Sequence, residues 1–131
     1  MIGILFAAAV AYQATVISVV DGDTIKVQIA GWPEYVNPID VRVQGIDTPE
    51  HMMPPAKKVC EVKKGLAAIV VAKQKITPGQ SVVVTWDGKH HDKYLRLLGT
   101  ITLPDGTDYG TAMIKSGSAR AYDGKTKGAW C

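Results

Sequence analysis

The chain has 131 residues, of which 47% are hydrophobic and 21% charged, and its net charge is +3. This length suits one domain with a single core, and the composition excludes disordered and fibrous proteins. Residues 1–50 carry six acids against two bases, whereas residues 51–131 carry six acids against thirteen bases. An acidic cluster folded beside a basic remainder suits a polyanionic substrate, although solvated surface lysines explain the basic excess more simply.

The amino-terminal residues form an apolar stretch that ends in Ala9-Val10-Ala11, a pattern typical of signal-peptidase sites. The stretch is too short to span a bilayer, and it has no Lys or Arg before its apolar part. We expect residues 1–13 to be a cleaved or vestigial export signal, and a terminal strand or a truncated tail is the alternative. Residues 14–131 are then the folded domain of a secreted or periplasmic protein.

Two cysteines, Cys60 and Cys131, lack the spacing of a zinc site or a CxxC redox motif. In an exported chain they predict one disulfide, which would tie the carboxyl terminus to the middle of the chain. In a reducing compartment they would be two unpaired thiols.

Strands dominate the first third of the chain. Residues Tyr12–Val20 and Thr24–Ala30 are rich in Val, Ile and Thr. Between them, Asp21-Gly22 favours a hairpin turn because both residues can adopt positive φ. Residues Ile39–Ile46 predict a third strand, with Arg42 on its polar face.

A helix follows, then two more strands. From Pro55 to Lys75, large apolar residues recur at three- and four-residue spacing, which predicts a helix whose apolar face packs on the core. That face consists of Val59, Val62, Leu66, Ile69 and Val70. Strands are predicted at Ser81–Trp86 and Leu97–Leu103, and a short helix at Asp108–Ser116. The pattern predicts an α+β fold, a five-stranded OB-type Greek-key barrel with one long and one short packed helix.

Two short acidic stretches carry the chemistry. They are Asp21-Gly22-Asp23-Thr24 and Asp47-Thr48-Pro49-Glu50, and Arg42 precedes the second by five residues. Hard cations such as calcium bind several carboxylate and carbonyl oxygens, and a phosphodiester is bound well by arginine. The grouping indicates a metal-dependent site for cleaving phosphate esters.

With Asp92-Lys93-Tyr94-Leu95-Arg96 added, the three motifs resemble the staphylococcal nuclease family in their order and in their spacing around a helix. The similarity extends from about Ala14 to the end of the chain, and it includes the closing residues Ala119–Lys125 and Trp130-Cys131. Short exported or plasmid-type members of the family end in a similar way.

The resemblance implies one calcium ion, held by the carboxylates of Asp23 and Asp47 and the main-chain carbonyl of Thr48. Such oxygen-only ligation is what calcium prefers. It also implies that Glu50 acts as general base or orients the attacking water. Asp21 is better explained as a turn residue than as a ligand.

Arg42 and Arg96 are implied to bind the phosphate and to neutralise charge in the transition state. Taken alone, Arg42 could equally be an exposed strand arginine. Leu95 replaces a glycine that usually precedes the second arginine in the family. If that position needs positive φ or close substrate approach, Leu95 would strain the backbone or displace Arg96.

Substrate contacts are implied for Lys93 and Tyr94, which match positions on a terminal phosphate, and for Tyr122, which lies near base-stacking tyrosines. For Tyr122, an ordinary packed tyrosine is an equal alternative. Single-stranded nucleic acid suits such a site because unstacked bases can stack on an aromatic ring.

The resemblance therefore implies a monomeric, calcium-dependent nuclease with no obligate protein partner and no stable membrane span. It would hydrolyse DNA and RNA with low sequence specificity, at single-stranded or frayed regions, and leave 3′-phosphate ends. One alternative is a non-catalytic OB-fold nucleic-acid-binding module of nuclease-like ancestry. Another is an extracellular calcium-stabilised protein that binds some other anion.

Overall fold

The computed structural model describes residues 9–131, which form a closed five-stranded β-barrel with two helices. The strands and helices, in chain order, are β1 (Val10–Asp21), β2 (Thr24–Ile29), β3 (Ile39–Val43), β4 (Ile46–Asp47), α1 (Val59–Lys75), β5 (Ser81–Trp86), β6 (Leu97–Thr102), α2 (Tyr109–Lys115) and β7 (Arg120–Ala121). The barrel order is β1-β2-β3-β6-β5, and β4 pairs with β7 in a separate small sheet. The predicted α+β fold with an OB-type barrel is confirmed.

The long strand β1 closes the barrel by pairing with two neighbours. Its first half is antiparallel to β5 and its second half is antiparallel to β2. Register shifts between Val16 and Ser18 and between Val19 and Asp21 interrupt the β1–β2 ladder. Irregularities of this kind bend a strand and increase its twist, as closure requires. The β3–β6 pair is parallel, so the barrel is mixed.

Alternating Val and Ile residues fill the barrel, as the period of two in a strand requires. The largest buried aliphatic side chains of the strands are Val16, Ile25, Val27, Ile29, Val41, Val43, Val82 and Ile101. Tyr109, at the start of α2, is also fully buried and donates a hydrogen bond from its hydroxyl to the Gly22 carbonyl at 2.7 Å. Helix α2 thereby supports the turn between β1 and β2.

Helix α1 lies in the predicted region, but its predicted core face is wrong. Its buried residues are Gly65, Ala68 and Ala72. Three members of the predicted face, Val59, Leu66 and Val70, are exposed, and the other two, Val62 and Ile69, are partly buried. Small residues let the helix pack closely against the rest of the fold. The buried face of α1 is therefore the one with the smallest residues rather than the one with the largest apolar side chains.

The predicted third strand is broken by a turn. β3 ends at Val43, Gly45 adopts a φ of 85°, and Ile46 and Asp47 pair with β7 instead of continuing the barrel. The explanation for Asp21-Gly22 is also wrong, because neither residue has positive φ. A Cβ on Gly22 would lie 2.8 Å from the Thr48 Cγ2, so close approach requires glycine there.

β1 begins earlier than predicted. Val10 and Ala11, which precede the predicted strand and fall within the expected export signal, pair with Trp86 and Thr85 of β5. The first eight residues of the expected export signal lie outside the described residues. Within residues 9–131, neither helix is long and apolar enough to cross a membrane.

Candidate active site

Strand register brings the acidic motifs and both arginines to one end of the barrel. Thr24, the first residue of β2, pairs with Arg42 near the end of β3, and Arg42 pairs with Leu98 near the start of β6. Asp23 precedes β2 directly and Arg96 precedes β6 directly. The three motifs therefore meet at this rim, although more than seventy residues separate the first from the last.

Arg42 forms ion pairs with both predicted calcium-binding carboxylates, Asp23 and Asp47. Its Nη2 atom lies 3.3 Å from Asp23 Oδ2 and 3.9 Å from Asp47 Oδ1. Its Nη1 atom donates hydrogen bonds to the carbonyls of Val43 and Ile46, at 2.7 and 3.0 Å. Only 11% of the Arg42 side chain is exposed. The alternative of an exposed strand arginine is therefore excluded, and the guanidinium holds the turn between β3 and β4.

Thr48 lies directly against the turn between β1 and β2. Its backbone N–H donates a hydrogen bond to Asp23 Oδ2 at 3.2 Å, and its side chain packs on Gly22. Asp23, Asp47 and Thr48 are all buried. The predicted metal-binding residues are thus in mutual contact through hydrogen bonds, close packing and the shared Arg42 guanidinium.

The two aspartates of the first motif differ in protonation. Burial, followed by the hydrogen bond and the negative charge of Asp23, raises the pKa of Asp21 to about 8. Burial acts in the same direction on Asp23, but the hydrogen bond with Asp21, the Arg42 charge and hydrogen bonds from Thr48 outweigh it and lower the Asp23 pKa. Asp23 is therefore the ionised member. Asp21 accepts a hydrogen bond from the Asp23 N–H at 3.0 Å, as a turn residue does.

Glu50 is positioned by helix α1. Its backbone N–H donates a hydrogen bond to Glu61 Oε2 at 3.1 Å in the first helical turn. One turn on, a Cβ on Gly65 would lie only 2.6 Å from the Glu50 carbonyl carbon and oxygen. The Glu50 side chain is 29% exposed. The helix therefore fixes the backbone of Glu50 and leaves its carboxylate open to solvent.

Arg96 is oriented by a tight loop around Asp92. The Asp92 carboxylate accepts hydrogen bonds from the backbone N–H groups of Tyr94 and Arg96, at 2.9 and 3.0 Å, and also from the Arg96 Nε. Leu95 has a φ of 62°, the one positive φ at a non-glycine residue in the described chain, and the residue is 72% exposed. Leu95 thus occupies a backbone conformation that favours glycine, while Arg96 keeps its bond to Asp92.

Two cavities lie beside the carboxylates. The larger, of about 430 Å³, is lined by both arginines together with Asp92, Tyr122 and Lys127. Lys93 and Tyr94 do not line it. The Tyr94 ring instead lies 5.2 Å from Lys93 Nζ and 5.4 Å from Arg96 Cζ, and it is 66% exposed.

The smaller cavity, of about 290 Å³, borders the second acidic motif directly. Its lining includes Asp47, Thr48, Glu50, Lys127 and Trp130. Lys127 is therefore common to both cavities, whereas Glu50 lines the smaller one and Tyr122 the larger.

The sequence did not predict three groups that contact Asp47 from the end of the chain. Arg120 Nη2 and Trp130 Nε1 lie 3.4 and 3.3 Å from Asp47 Oδ2, and Lys127 Nζ lies 3.3 Å from Asp47 Oδ1. The Arg120 guanidinium also stacks on the Trp130 ring at 4.0 Å. We name residues 122–131 the C-terminal strap.

A disulfide between Cys60 and Cys131 fastens the end of the strap to the first turn of α1, with the two Cα atoms 6.4 Å apart. Cys60 follows Glu50 by ten residues, so a Cys60–Cys131 bond was the signal that could have placed the strap near the acidic motif.

Partial burial alone would lower the pKa of Lys127, but the charges of Asp47 and Glu50 outweigh it and raise this pKa. Its ammonium is therefore charged at neutral pH.

The chemistry of this site fits calcium. Every candidate ligand atom is an oxygen, and the buried Asp47 Oδ1 has no hydrogen-bond partner even though it forms an ion pair with Lys127. Within residues 9–131, no three acidic, His or Cys side chains form a metal-binding group by themselves. Calcium also accepts carbonyl and water oxygens, so water could complete a shell of about six to eight oxygens to which Asp23, Asp47 and the Thr48 carbonyl would contribute.

Comparison with known proteins agrees with this geometry. Residues 40–129 match the family model described as staphylococcal nuclease homologue. Two uncharacterized endonucleases, from Escherichia coli O157:H7 and Escherichia coli, are each 30% identical over 108 residues, which cover 82% of this chain. The chain spans 60% of the length of these relatives. The barrel, the motifs and the match show that the chain belongs to the staphylococcal nuclease family.

Proposed function

We propose that this domain is a calcium-dependent nuclease that hydrolyses phosphodiester bonds of DNA and RNA with low sequence specificity. The observation that carries the proposal is the convergence of Asp23 and Asp47 on Arg42, at 3.3 and 3.9 Å, at the rim that also presents Arg96. Two buried carboxylates beside two arginines combine a cation site with a phosphate site. Neither a phosphatase nor a glycosidase based on two carboxylates explains the paired arginines.

Asp23, Asp47 and the Thr48 carbonyl would hold calcium. Bound there, the ion would supply Lewis-acid stabilisation of the phosphate and a more acidic water. Asp23 is suited to this role because it is ionised, and its carboxylate is fixed by the Thr48 N–H and by Arg42. A fixed, deprotonated ligand such as Asp23 binds a cation with little reorganisation of its own side chain.

Glu50 takes the proton in the hydrolysis. Its carboxylate shares the smaller cavity with Asp47 and is open to solvent, so it can accept a proton from water as the water oxygen bonds to phosphorus. The bond from phosphorus to the 5′-oxygen breaks, the leaving oxygen is protonated from solvent, and a 3′-phosphate remains. Arg42 and Arg96 would bind the non-bridging oxygens, on which charge grows.

Single-stranded or frayed nucleic acid is the proposed substrate. Tyr122 lines the cavity that both arginines line, so a base stacked on its ring would leave the adjoining phosphate near the guanidinium groups. Lys93 and Tyr94 lie outside this cavity, and the Tyr94 ring packs against Arg96. We propose that Lys93 and Tyr94 bind a phosphate further along the strand.

We further propose that the protein acts as a monomer outside the cytoplasm, in the periplasm or the medium. The Cys60–Cys131 disulfide supports this location, because such bonds persist in oxidising compartments and are rare in the cytosol.

The test is cleavage of heat-denatured DNA and of RNA by the oxidised protein, in calcium and then in excess chelator. We expect cleavage of both substrates in calcium, loss of cleavage in chelator and recovery when calcium is restored. Products should accept a 3′-terminal nucleotide only after phosphatase treatment. Cleavage that persists in chelator would contradict the metal-dependent mechanism, and binding in a gel-shift assay without cleavage would favour the non-catalytic module.

A further inference from the structure

The C-terminal strap is fastened at both of its ends. At its start, the Tyr122 N–H donates a hydrogen bond to the Gly45 carbonyl at 2.9 Å, just after β7 pairs with β4. At its end, Cys131 is joined to Cys60. Between these points Arg120 donates hydrogen bonds to the Gly128 and Ala129 carbonyls. The strap therefore has little freedom to leave the carboxylates.

Lys127 is the residue of the strap that bridges two site carboxylates. Its Nζ atom lies 3.3 Å from Asp47 Oδ1 and 3.5 Å from Glu50 Oε1. The Asp47 side chain is 1% exposed and the Lys127 side chain is 47% exposed. The ammonium therefore lies on the solvent side of a buried carboxylate oxygen that has no hydrogen-bond partner.

The other cations at Asp47 are held by further bonds. Arg42 donates to two backbone carbonyls, and Arg120 donates to two carbonyls of the strap. For Lys127, within residues 9–131, the ion-pair and hydrogen-bond partners are Asp47 and Glu50, and its ammonium lies 5.8 Å from the centroid of the Tyr122 ring. Lys127 is thus the cation that can leave most readily, toward the cavity of the arginines.

We propose that Lys127, held in place by the disulfide-fastened strap, is an internal competitor of the divalent cation at Asp47. The proposal rests on the function proposed above, which places calcium at this carboxylate. An ammonium and a calcium ion repel each other and need the same oxygen, so the cation binds only when Lys127 leaves. The strap thereby sets the calcium concentration at which the site fills.

Calcium binding to the oxidised protein, measured by isothermal titration calorimetry, tests the proposal without an activity assay. We expect Lys127→Met to lower the calcium Kd about three- to tenfold, because partly exposed ion pairs are individually weak and two are removed. Lys125→Met is the matched control. It removes the same charge from the same strap but no ion pair of the described structure, so its Kd should stay near that of the wild type.

The role of the disulfide is tested by replacing both cysteines, Cys60→Ser with Cys131→Ser. This variant frees the end of the strap and should also bind calcium more tightly. In that background Lys127→Met should add little, because both changes remove the same competitor. If the cysteine variant does not fold, the comparison of Lys127→Met with Lys125→Met in the oxidised protein still decides whether Lys127 competes.

Three results of these titrations would contradict different parts of the proposal. Calcium that binds wild type and Lys127→Met equally, or binds Lys127→Met more weakly, would overturn the competition while leaving the proposed function intact. Tighter binding by Lys127→Met with no change in the cysteine variant would overturn the part assigned to the disulfide. Calcium binding to none of the proteins at millimolar concentration would overturn the metal dependence itself, and the competition with it.

Discussion

Replacing Gly65 by alanine tests whether helix α1 positions Glu50. In an isolated helix the change would be favourable by about 1 kcal/mol, because alanine has the higher helix propensity. Here the new Cβ would lie 2.6 Å from the Glu50 carbonyl carbon and 2.7 Å from the His51 nitrogen. Contacts between such atoms are normally about 3.5–4.0 Å, so the backbone must move by about 1 Å. Neither partner is a flexible side chain that could turn away.

Overpacking of this kind costs about 1–3 kcal/mol, so after the gain of about 1 kcal/mol in propensity we expect Gly65→Ala to be destabilising by up to about 2 kcal/mol. A displacement of about 1 Å at a catalytic group can lower the rate about 100-fold. Urea unfolding at intact disulfide and cleavage of denatured DNA in calcium measure the two effects. The matched control is Ala67→Gly at an exposed position of the same helix, which should lose about 1 kcal/mol and keep full activity. A Gly65→Ala protein that is more stable than wild type and fully active would refute the reasoning.

Two further predictions concern the loop that carries Arg96. Leu95→Gly should raise the free energy of unfolding by about 1 kcal/mol in thermal or urea melts, because glycine adopts a φ of 62° without strain. The control Lys93→Gly lies in the same loop at a residue without positive φ, and it should not raise the free energy of unfolding. Equal effects of the two variants would exclude backbone strain as the cause. Burial acts to raise the pKa of Asp92, but hydrogen bonds from Arg96 and Tyr94 prevail and lower it below the ordinary 3.8. Asp92 therefore contributes stability above pH 3.8, and this contribution is lost as the pH falls through its folded-state pKa. Asp92→Asn should accordingly be least stable relative to wild type at neutral pH. The difference in free energy of unfolding between the two proteins should narrow on acidification. A stability difference independent of pH would contradict this role.

The two strands after helix α1 were predictable because their signal is local, whereas the break after β3 and the pairing of β4 with β7 were not predicted. β5 has the predicted bounds, and β6 ends one residue earlier than expected. The core face of α1 was not predictable from its large apolar residues. Gly65, Ala68 and Ala72 are its buried residues, and the lack of a side chain at Gly65 permits the contact with the Glu50 backbone. The spacing of large apolar residues did not reveal this face, because its residues have small side chains that contribute little to a hydrophobic pattern.

The acidic motifs and Arg42 could be grouped from the sequence, because they lie close together along the chain and their order and spacing resemble the staphylococcal nuclease family. No motif or periodicity in the sequence placed Arg120, Lys127 and Trp130 beside Asp47, and the predicted Cys60–Cys131 disulfide was the one signal for it. Most of the segment that carries them lacks regular secondary structure, and they reach Asp47 across more than seventy residues. Their placement depends on tertiary contacts and on one long-range disulfide, which no periodic pattern encodes.

The central claim is that Glu50 accepts a proton from the attacking water at a calcium site beside Arg42 and Arg96. Single-turnover cleavage of one labelled single-stranded oligonucleotide at saturating calcium, by wild type and by Glu50→Gln, tests it most directly. We predict a loss of about 10²- to 10⁴-fold in the rate, the usual contribution of a general base, with calcium affinity nearly unchanged. Glu34→Gln, at an exposed position before β3, should cleave as fast as wild type. A Glu50→Gln protein that cleaves at the wild-type rate would contradict the account.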